Sequence, residues 1–260
     1  MKRILIALSF LVALNSFIVP KVNAALIGYW DFNEGLGTTT HDLSGSNNNG
    51  SFNVGAADWV QGKYGSALLF NGSPNAVVTV PYSSSLHLND FFTIGAWVMP
   101  FSTGDNRVIE HYTAGNQMGV ILRQAPSPDL GKWQVASTMT NLWSNTQVQQ
   151  NIWQYIAVTY DGSNMQFYVN GSLDNSVVAS GSLYDGGDPW IIGGTQNDPW
   201  ASNSYNGAID EVRIYNNALT QDEILRDMNF NSTSPVVPEP TTMFLFGTGI
   251  LGAFLRKRVA

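Results

Sequence analysis

Chemistry on this chain has to come from oxygens and imidazoles, because it contains no cysteine. Without thiols there is no thiolate nucleophile, no thiolate metal site and no disulfide. The three histidines, His41, His87 and His111, are far apart and lack metal-type spacing such as His-Glu-x-x-His, so each is expected at the surface or in a loop. Glycoside hydrolysis on a strand needs two carboxylates on one face, as in Glu-x-Asp-x-Glu. No such alternation occurs: Glu110 stands alone in Val108 to Tyr112, and the adjacent Asp210 and Glu211 would face opposite sides of a regular strand. No catalytic residue is nominated, and the chain reads as noncatalytic. Calcium is different, since it takes six to eight oxygens from carboxylates, amides and backbone. The segment from Asp31 to Asn49 is rich in such groups, with Asn33, Glu34 and Asp42 as metal candidates. A plainer reading has Asp42, in its Asp-x-Ser-Gly turn, capping an Asx turn.

Aromatic residues are abundant, with eight Trp, ten Tyr and thirteen Phe. Sugars stack their C–H faces on such rings. Trp30, Trp97 and Trp153 sit beside aliphatics and are expected in the core. The ligand-binding candidates are Trp143 within Asn141 to Asn145, Trp190 after Asp188-Pro189, and Trp200 with Tyr205. Asp198 and Asn203 would add the polar groups a glycan site needs. Against this stands a Trp folded back to cover the end of the domain. Arg107 and Arg123 are placed to meet an acidic polysaccharide or simply to be solvated.

The elements that must position these groups are short β-branched and aromatic runs separated by Gly, Asn, Ser and Asp. They are Leu26 to Phe32, Ala67 to Phe70, Ala76 to Val80, Phe92 to Val98, Gly119 to Leu122, Trp133 to Thr138, Trp153 to Thr159, Met165 to Val169 and Ala208 to Tyr215. Many short strands between turn signals predict an all-β sandwich or barrel. Asp161-Gly162 and Asn170-Gly171 mark the sharpest turns. One helix is expected, Gln221 to Met228, with Thr220 as N-cap and Glu223 completing a capping box.

The two ends differ from this pattern. Lys2 and Arg3 precede an apolar stretch from Ile4 to Leu14 and a small-residue site, Val22-Asn23-Ala24, which reads as a secretory signal peptide over residues 1–24. Residues 25–228 are then one domain, residues 229–237 a polar linker, and residues 238–260 a terminal signal. That signal carries Pro238-Glu239-Pro240, an apolar run from Thr241 to Leu255, and Arg256-Lys257-Arg258. At 15 residues the run is a short, weak transmembrane anchor helix with its basic end in the cytoplasm. Six of the twelve basic residues lie in these ends but only one of the nineteen acids, leaving the domain near −12. A charge of that sign excludes nucleic acid as a partner, which demands a basic footprint.

The tripeptide, apolar run and basic end together resemble a PEP-CTERM sorting signal. The resemblance implies an exosortase-type processing enzyme, transient anchoring in the inner membrane of a Gram-negative bacterium, and release to the cell surface or extracellular matrix. Between the ends, Gly28 to Gly35 with Asp42 to Gly45, Gly62 to Gly72, Phe92 to Val98, Trp153 to Gly171, and Asn206 to Tyr215 resemble bacterial laminin-G-like domains of the concanavalin A-like superfamily. This implies a jelly-roll sandwich of two antiparallel sheets with one short C-terminal helix. It also implies a structural calcium held by Asp210, the match to the aspartate of the family's closing strand, unless Asp210 pairs with Arg213. The expected role is binding of carbohydrate or of a surface protein. A structural matrix component without a ligand, or a glycoside hydrolase or lyase, are the alternatives.

Overall fold

The computed structural model describes residues 24–53, 55–74, 76–88, 90–113, 117–195 and 204–230. Residues 1–23 of the expected signal peptide, with Pro238, Glu239, Pro240 and the expected anchor run, lie outside the described residues, among which no helix is long and apolar enough to cross a membrane. The strands are β1 (Leu26–Trp30), β2 (Thr39–Thr40), β3 (Gly50–Ser51), β4 (Ala57–Gln61), β5 (Ser66–Asn71), β6 (Val78–Val80), β7 (Phe92–Pro100) and β8 (Arg107–Thr113). They continue as β9 (Gln117–Gln124), β10 (Lys132–Ser137), β11 (Asn141–Gln147), β12 (Gln154–Tyr160), β13 (Asn164–Val169), β14 (Ser172–Val178), β15 (Trp190–Ile192) and β16 (Asn206–Tyr215), followed by helix α1 (Gln221–Asn229).

Two antiparallel sheets form the expected sandwich. The first runs β14-β13-β12-β7-β16-β5-β4, with β1 also on β16, and the second runs β11-β10-β9-β8-β15-β6-β3-β2. Alternation along each strand divides the residues between two environments. In β9 and β10, Val120, Leu122, Trp133 and Val135 enter the shared core, where they meet Ile94, Val98 and Phe167 from the first sheet. The opposite faces of β7, β12 and β13 hold Trp97, Tyr155 and Tyr168, which form a second apolar layer under Ile224 of α1. Burying each large core side chain contributes roughly 1.5–3 kcal/mol, the main term holding the sandwich together.

Turn chemistry fits the sequence. Asn170 and Gly171 both have positive φ, 51° and 78°, and join β13 to β14 tightly. At the other turn only Gly162 is positive, because Asp161 Oδ1 accepts from the amides of Ser163 and Asn164 and makes an Asx turn. The capping box of α1 is present as expected: Thr220 accepts from the Glu223 amide, and Glu223 reaches back to the Thr220 amide at 2.9 Å.

The sheet edges are stitched to each other. Asp174 of β14 accepts from the Thr146 amide at 3.0 Å and from Thr146 Oγ1, while Asn175 Nδ2 donates to the Trp143 carbonyl at 2.8 Å. On the far side Trp59 Nε1 donates to the Gly37 carbonyl at 3.0 Å. Such contacts occupy strand edges that would otherwise template association.

Candidate functional site

The outward face of the second sheet carries a row of polar and aromatic side chains at right angles to the strands. Arg107 of β8 lies opposite Arg123 of β9, Arg123 opposite Gln134 of β10, and Gln134 opposite Trp143 of β11. All four come from different strands, about 4.8 Å apart. Trp143, expected in a loop, is on an edge strand and belongs to neither apolar layer, so its partly exposed ring faces outward. Arg123 Nε donates to Gln134 Oε1 at 2.8 Å, and its Nη1 sits 3.0 Å from both Asp105 oxygens. Glu110, alone in sequence, accepts from Arg107 Nη1 at 2.6 Å. Burial lowers the Arg123 guanidinium from its ordinary value, with Asp105 acting in the other direction. Gln134 had no signal in the sequence, since nothing short of strand register reveals its place in this row.

The metal candidates fall in different settings. Asp42 is saturated: Oδ1 accepts from the Tyr29 and Ser44 amides and Oδ2 from Ser44 Oγ and the Asn48 amide, all at 2.9–3.0 Å. With four donors on two oxygens it is the Asx-type anchor of its loop. Glu34 Oε1 accepts from the His41 amide at 2.6 Å, and its buried Oε2 has no hydrogen-bond partner. Asn33 Oδ1 accepts from the Ser66 amide at 2.8 Å.

Asp210 sits under the same turn, where Oδ2 accepts from the Tyr64 amide at 3.1 Å. A Cβ at Gly62 would fall 2.6 Å from that Oδ2 and also strike the Ser66 carbonyl, so only glycine lets the turn close over the carboxylate. Oδ1 of Asp210 is buried without a hydrogen-bond partner, and burial pushes the carboxyl up to about 8. Among the described residues, no three His, Asp or Glu side chains converge as a metal cage. A cation here would therefore rely on Asp210 together with carbonyl and water oxygens, the mixed set calcium accepts.

The expectation that Asp210 and Glu211 face opposite ways is corrected by a bulge. Asp210 lies opposite Trp97 but Arg213 opposite Gly95, leaving Glu211 and Val212 against Ala96 alone, with Glu211 at φ 54°. One extra residue turns both acids to the helix-covered face. Neither is accessible, since both are 0% exposed. The alternative pairing of Asp210 with Arg213 is not found. Arg213 instead pairs with Glu211, donates to the carbonyls of Asp227 at 2.9 Å and Phe230 at 2.8 Å, and lies 4.3 Å over the Tyr29 ring. Tyr155 and Tyr215 both donate to the Asp227 carboxylate.

Two further expectations are corrected. Trp190 and Tyr205 are 3% and 0% exposed and belong to the central core, because Trp190 is a strand residue of β15 and Tyr205 directly precedes β16. They offer no ring to a ligand. Trp200, Asp198 and Asn203 lie outside the described residues. His87 and His111 are not independent loop residues, since the chain before β15 brings both to Asp185. His87 Nδ1 bonds one Asp185 oxygen, and His111 Nε2 lies 3.7 Å from the other and 3.1 Å from the Asp188 carbonyl. The buried His111 ring stacks on Trp190 with centroids 5.1 Å apart. His41 remains exposed beside Glu34.

Comparison with known proteins bears on this geometry. A family model described as the concanavalin A-like lectin/glucanases superfamily matches residues 71–225, and one for the PEP-CTERM protein-sorting motif matches residues 236–258. No curated protein matches the chain. Among solved structures, the binding domain of Paraclostridial Mosquitocidal Protein 1 is similar with a TM-score of 0.63 and 19% identity, over 79% of this chain and 52% of that one. The chain thus spans about half of that relative. Domain 4 of AbnA, a GH43 extracellular arabinanase from Geobacillus stearothermophilus solved with arabinotriose, gives 0.62 and 18% over 79% and 99% of the two chains. Trypanosoma rangeli sialidase gives 0.56 and 16% over 78% of this chain and 33% of that one. At these identities the likeness concerns the fold.

Proposed function

Because the chain belongs to the concanavalin A-like lectin/glucanase superfamily and ends in a PEP-CTERM sorting motif, we propose that it is an exported, noncatalytic cell-surface or matrix protein that binds carbohydrate through its sandwich. The motif indicates export and surface sorting in a Gram-negative bacterium, with an exosortase-type enzyme as processing partner. The observation that carries the binding role is Trp143, an indole held outward on a sheet face beside an amide and a guanidinium. That trio offers stacking and directional hydrogen bonds together, the combination a glycan site uses. The arabinotriose complex of a similar arabinanase domain supports the reading. Hydrolysis is disfavoured, since Asp210 and Glu211 are fully buried and Glu110 is held by Arg107.

Titration of a panel of neutral and acidic polysaccharides into the protein tests this. Trp143→Ala is expected to weaken binding about tenfold, from a stacking contribution near 1.4 kcal/mol. Absence of binding across the panel would return the chain to a structural matrix role. Release of reducing ends from any of the polysaccharides would make it an enzyme.

Calcium is part of the same proposal, as a brace for the closing strand and not as a reactant. Asp210 would be its anionic ligand, with carbonyl oxygens of the turn around Gly62 to Ser66 beside it and Asn33 on the same turn. Supporting this is the orphaned Oδ1 of Asp210, a buried acceptor that a cation would satisfy. Asp42 does not fit, because its lone pairs are already taken.

A further inference from the structure

The row on the second sheet sets two cations side by side. Arg107 and Arg123 face each other directly across β8 and β9. Like charges in directly opposed strand positions are destabilising. Glu110 lies 2.6 Å from Arg107 and Asp105 lies 3.0 Å from Arg123, which limits the repulsion. Placement of the remaining bases sharpens the point. Only Lys63, Arg107, Arg123, Lys132, Arg213 and Arg226 are basic between Ala25 and Val237. Three of these six, Arg107, Arg123 and Lys132, belong to this one face, Lys132 by strand alternation from Gln134. Set against Asp105 and Glu110, these three bases leave one positive charge along the row itself, on a domain near −12.

The free groups along the row have a defined order. Arg123 commits Nε to Gln134 and Nη1 to Asp105, and its Nη2 has no hydrogen-bond partner among the described residues. Gln134 is only 3% exposed and spends its Oε1 on Arg123, so Nε2 is the one donor it has left for a ligand. One strand further on, the Trp143 ring stands partly exposed. A guanidinium hydrogen that points outward from a fixed geometry suits a carboxylate, with strength from charge as well as direction. An amide and then an indole, each one strand spacing further on, suit the hydroxyls and the C–H face of the next sugar.

Resting on the carbohydrate-binding reading above, we propose that this face takes an acidic polysaccharide, with a sugar carboxylate on Arg123 and an adjoining ring on Trp143. The acid is part of the polymer, as in a uronate, and the C–H face of the adjoining sugar ring makes the glycan distinguishable from other polyanions. Electrostatic attraction to one face also orients the ligand against the general repulsion of an acidic domain.

The experiment compares tetragalacturonate with its methyl ester, which keeps the sugar backbone and removes the charge. Calorimetric titration uses the full chain in a non-glycosidic detergent. The acid form is expected to bind about tenfold or more tightly than the ester, and to lose that advantage at high salt. Arg123→Gln should erase the difference between the two forms, whereas Trp143→Ala should weaken both and preserve the difference. Because Arg123 also holds Asp105 and Gln134, the ester and salt comparisons on the unmodified protein test the idea without that variant. Equal affinity for both forms overturns the inference and leaves carbohydrate binding standing. So does binding of neutral arabinan with neither galacturonate form bound. Polyglutamate binding as tightly as tetragalacturonate would overturn the choice of glycan over acidic protein. No binding to any glycan would remove both this inference and the reading beneath it.

Discussion

Arg213 shows how a single residue couples the closing strand to the helix. It is fully buried, and burial works against its charge, but Asp227, Tyr29 and Glu211 together raise its hold on the proton above the ordinary guanidinium value. Its donors reach two carbonyls at the end of α1, so the strand and the helix terminus are tied through one guanidinium. Removing it would leave Glu211 and Asp227 as buried, uncompensated acids. Arg213→Met is expected to destabilise the domain by about 3–5 kcal/mol in urea titration, since one partner of a buried pair is lost. Adding Glu211→Gln should return part of that loss, which a simple packing role for Arg213 would not give.

At the scale of elements, α1 is a short lid whose position depends on its ends. Thr220 caps the first turn, Asp222 and Glu223 complement the positive N-terminal dipole, and Ile224 sits over Trp97 and Tyr155. Substituting Thr220 by Ala is expected to cost about 1 kcal/mol, read as a lower midpoint in thermal or urea unfolding. Trp143 and the binding row lie on the opposite sheet, so that variant should leave glycan affinity unchanged. The β16 bulge is the other decisive element. By adding a residue between Asp210 and Arg213 it places three ionisable side chains on one covered face, where Glu211 pairs with Arg213 and Asp210 is either a neutral carboxyl or the ligand of a cation.

For the whole molecule, a metal brace would show as a shift in the unfolding equilibrium. If calcium binds only the folded chain, a hundredfold excess over its dissociation constant adds about 2.7 kcal/mol. The expected result is a higher melting midpoint with calcium than with chelator for the unaltered protein, and no difference for Asp210→Asn. A calcium response that survives in Asp210→Asn would place the ion elsewhere. No response in either protein would leave Asp210 as a buried, neutral carboxyl.

Periodicity, turn dipeptides and the capping box determined the helix, many of the strands and an all-β class, because these follow from interactions between residues near in sequence, while the choice of a sandwich over a barrel came from the family resemblance. The PEP-CTERM tail was equally legible, being a linear signal. Trp143 was singled out as a ligand candidate in a loop, whereas it is a half-buried residue of an edge strand. What tertiary structure alone decided is which residues meet. Arg107, Arg123, Gln134 and Trp143 span 37 residues of sequence yet form one row, because strand register is set by pairing over many residues at once. Burial of Trp190 and Tyr205, the meeting of His87 and His111 at Asp185, and the turning of Glu211 beside Asp210 depend likewise on long-range packing and on one inserted residue. Local sequence carries no record of such contacts, since they are fixed only when the two sheets close on a common core.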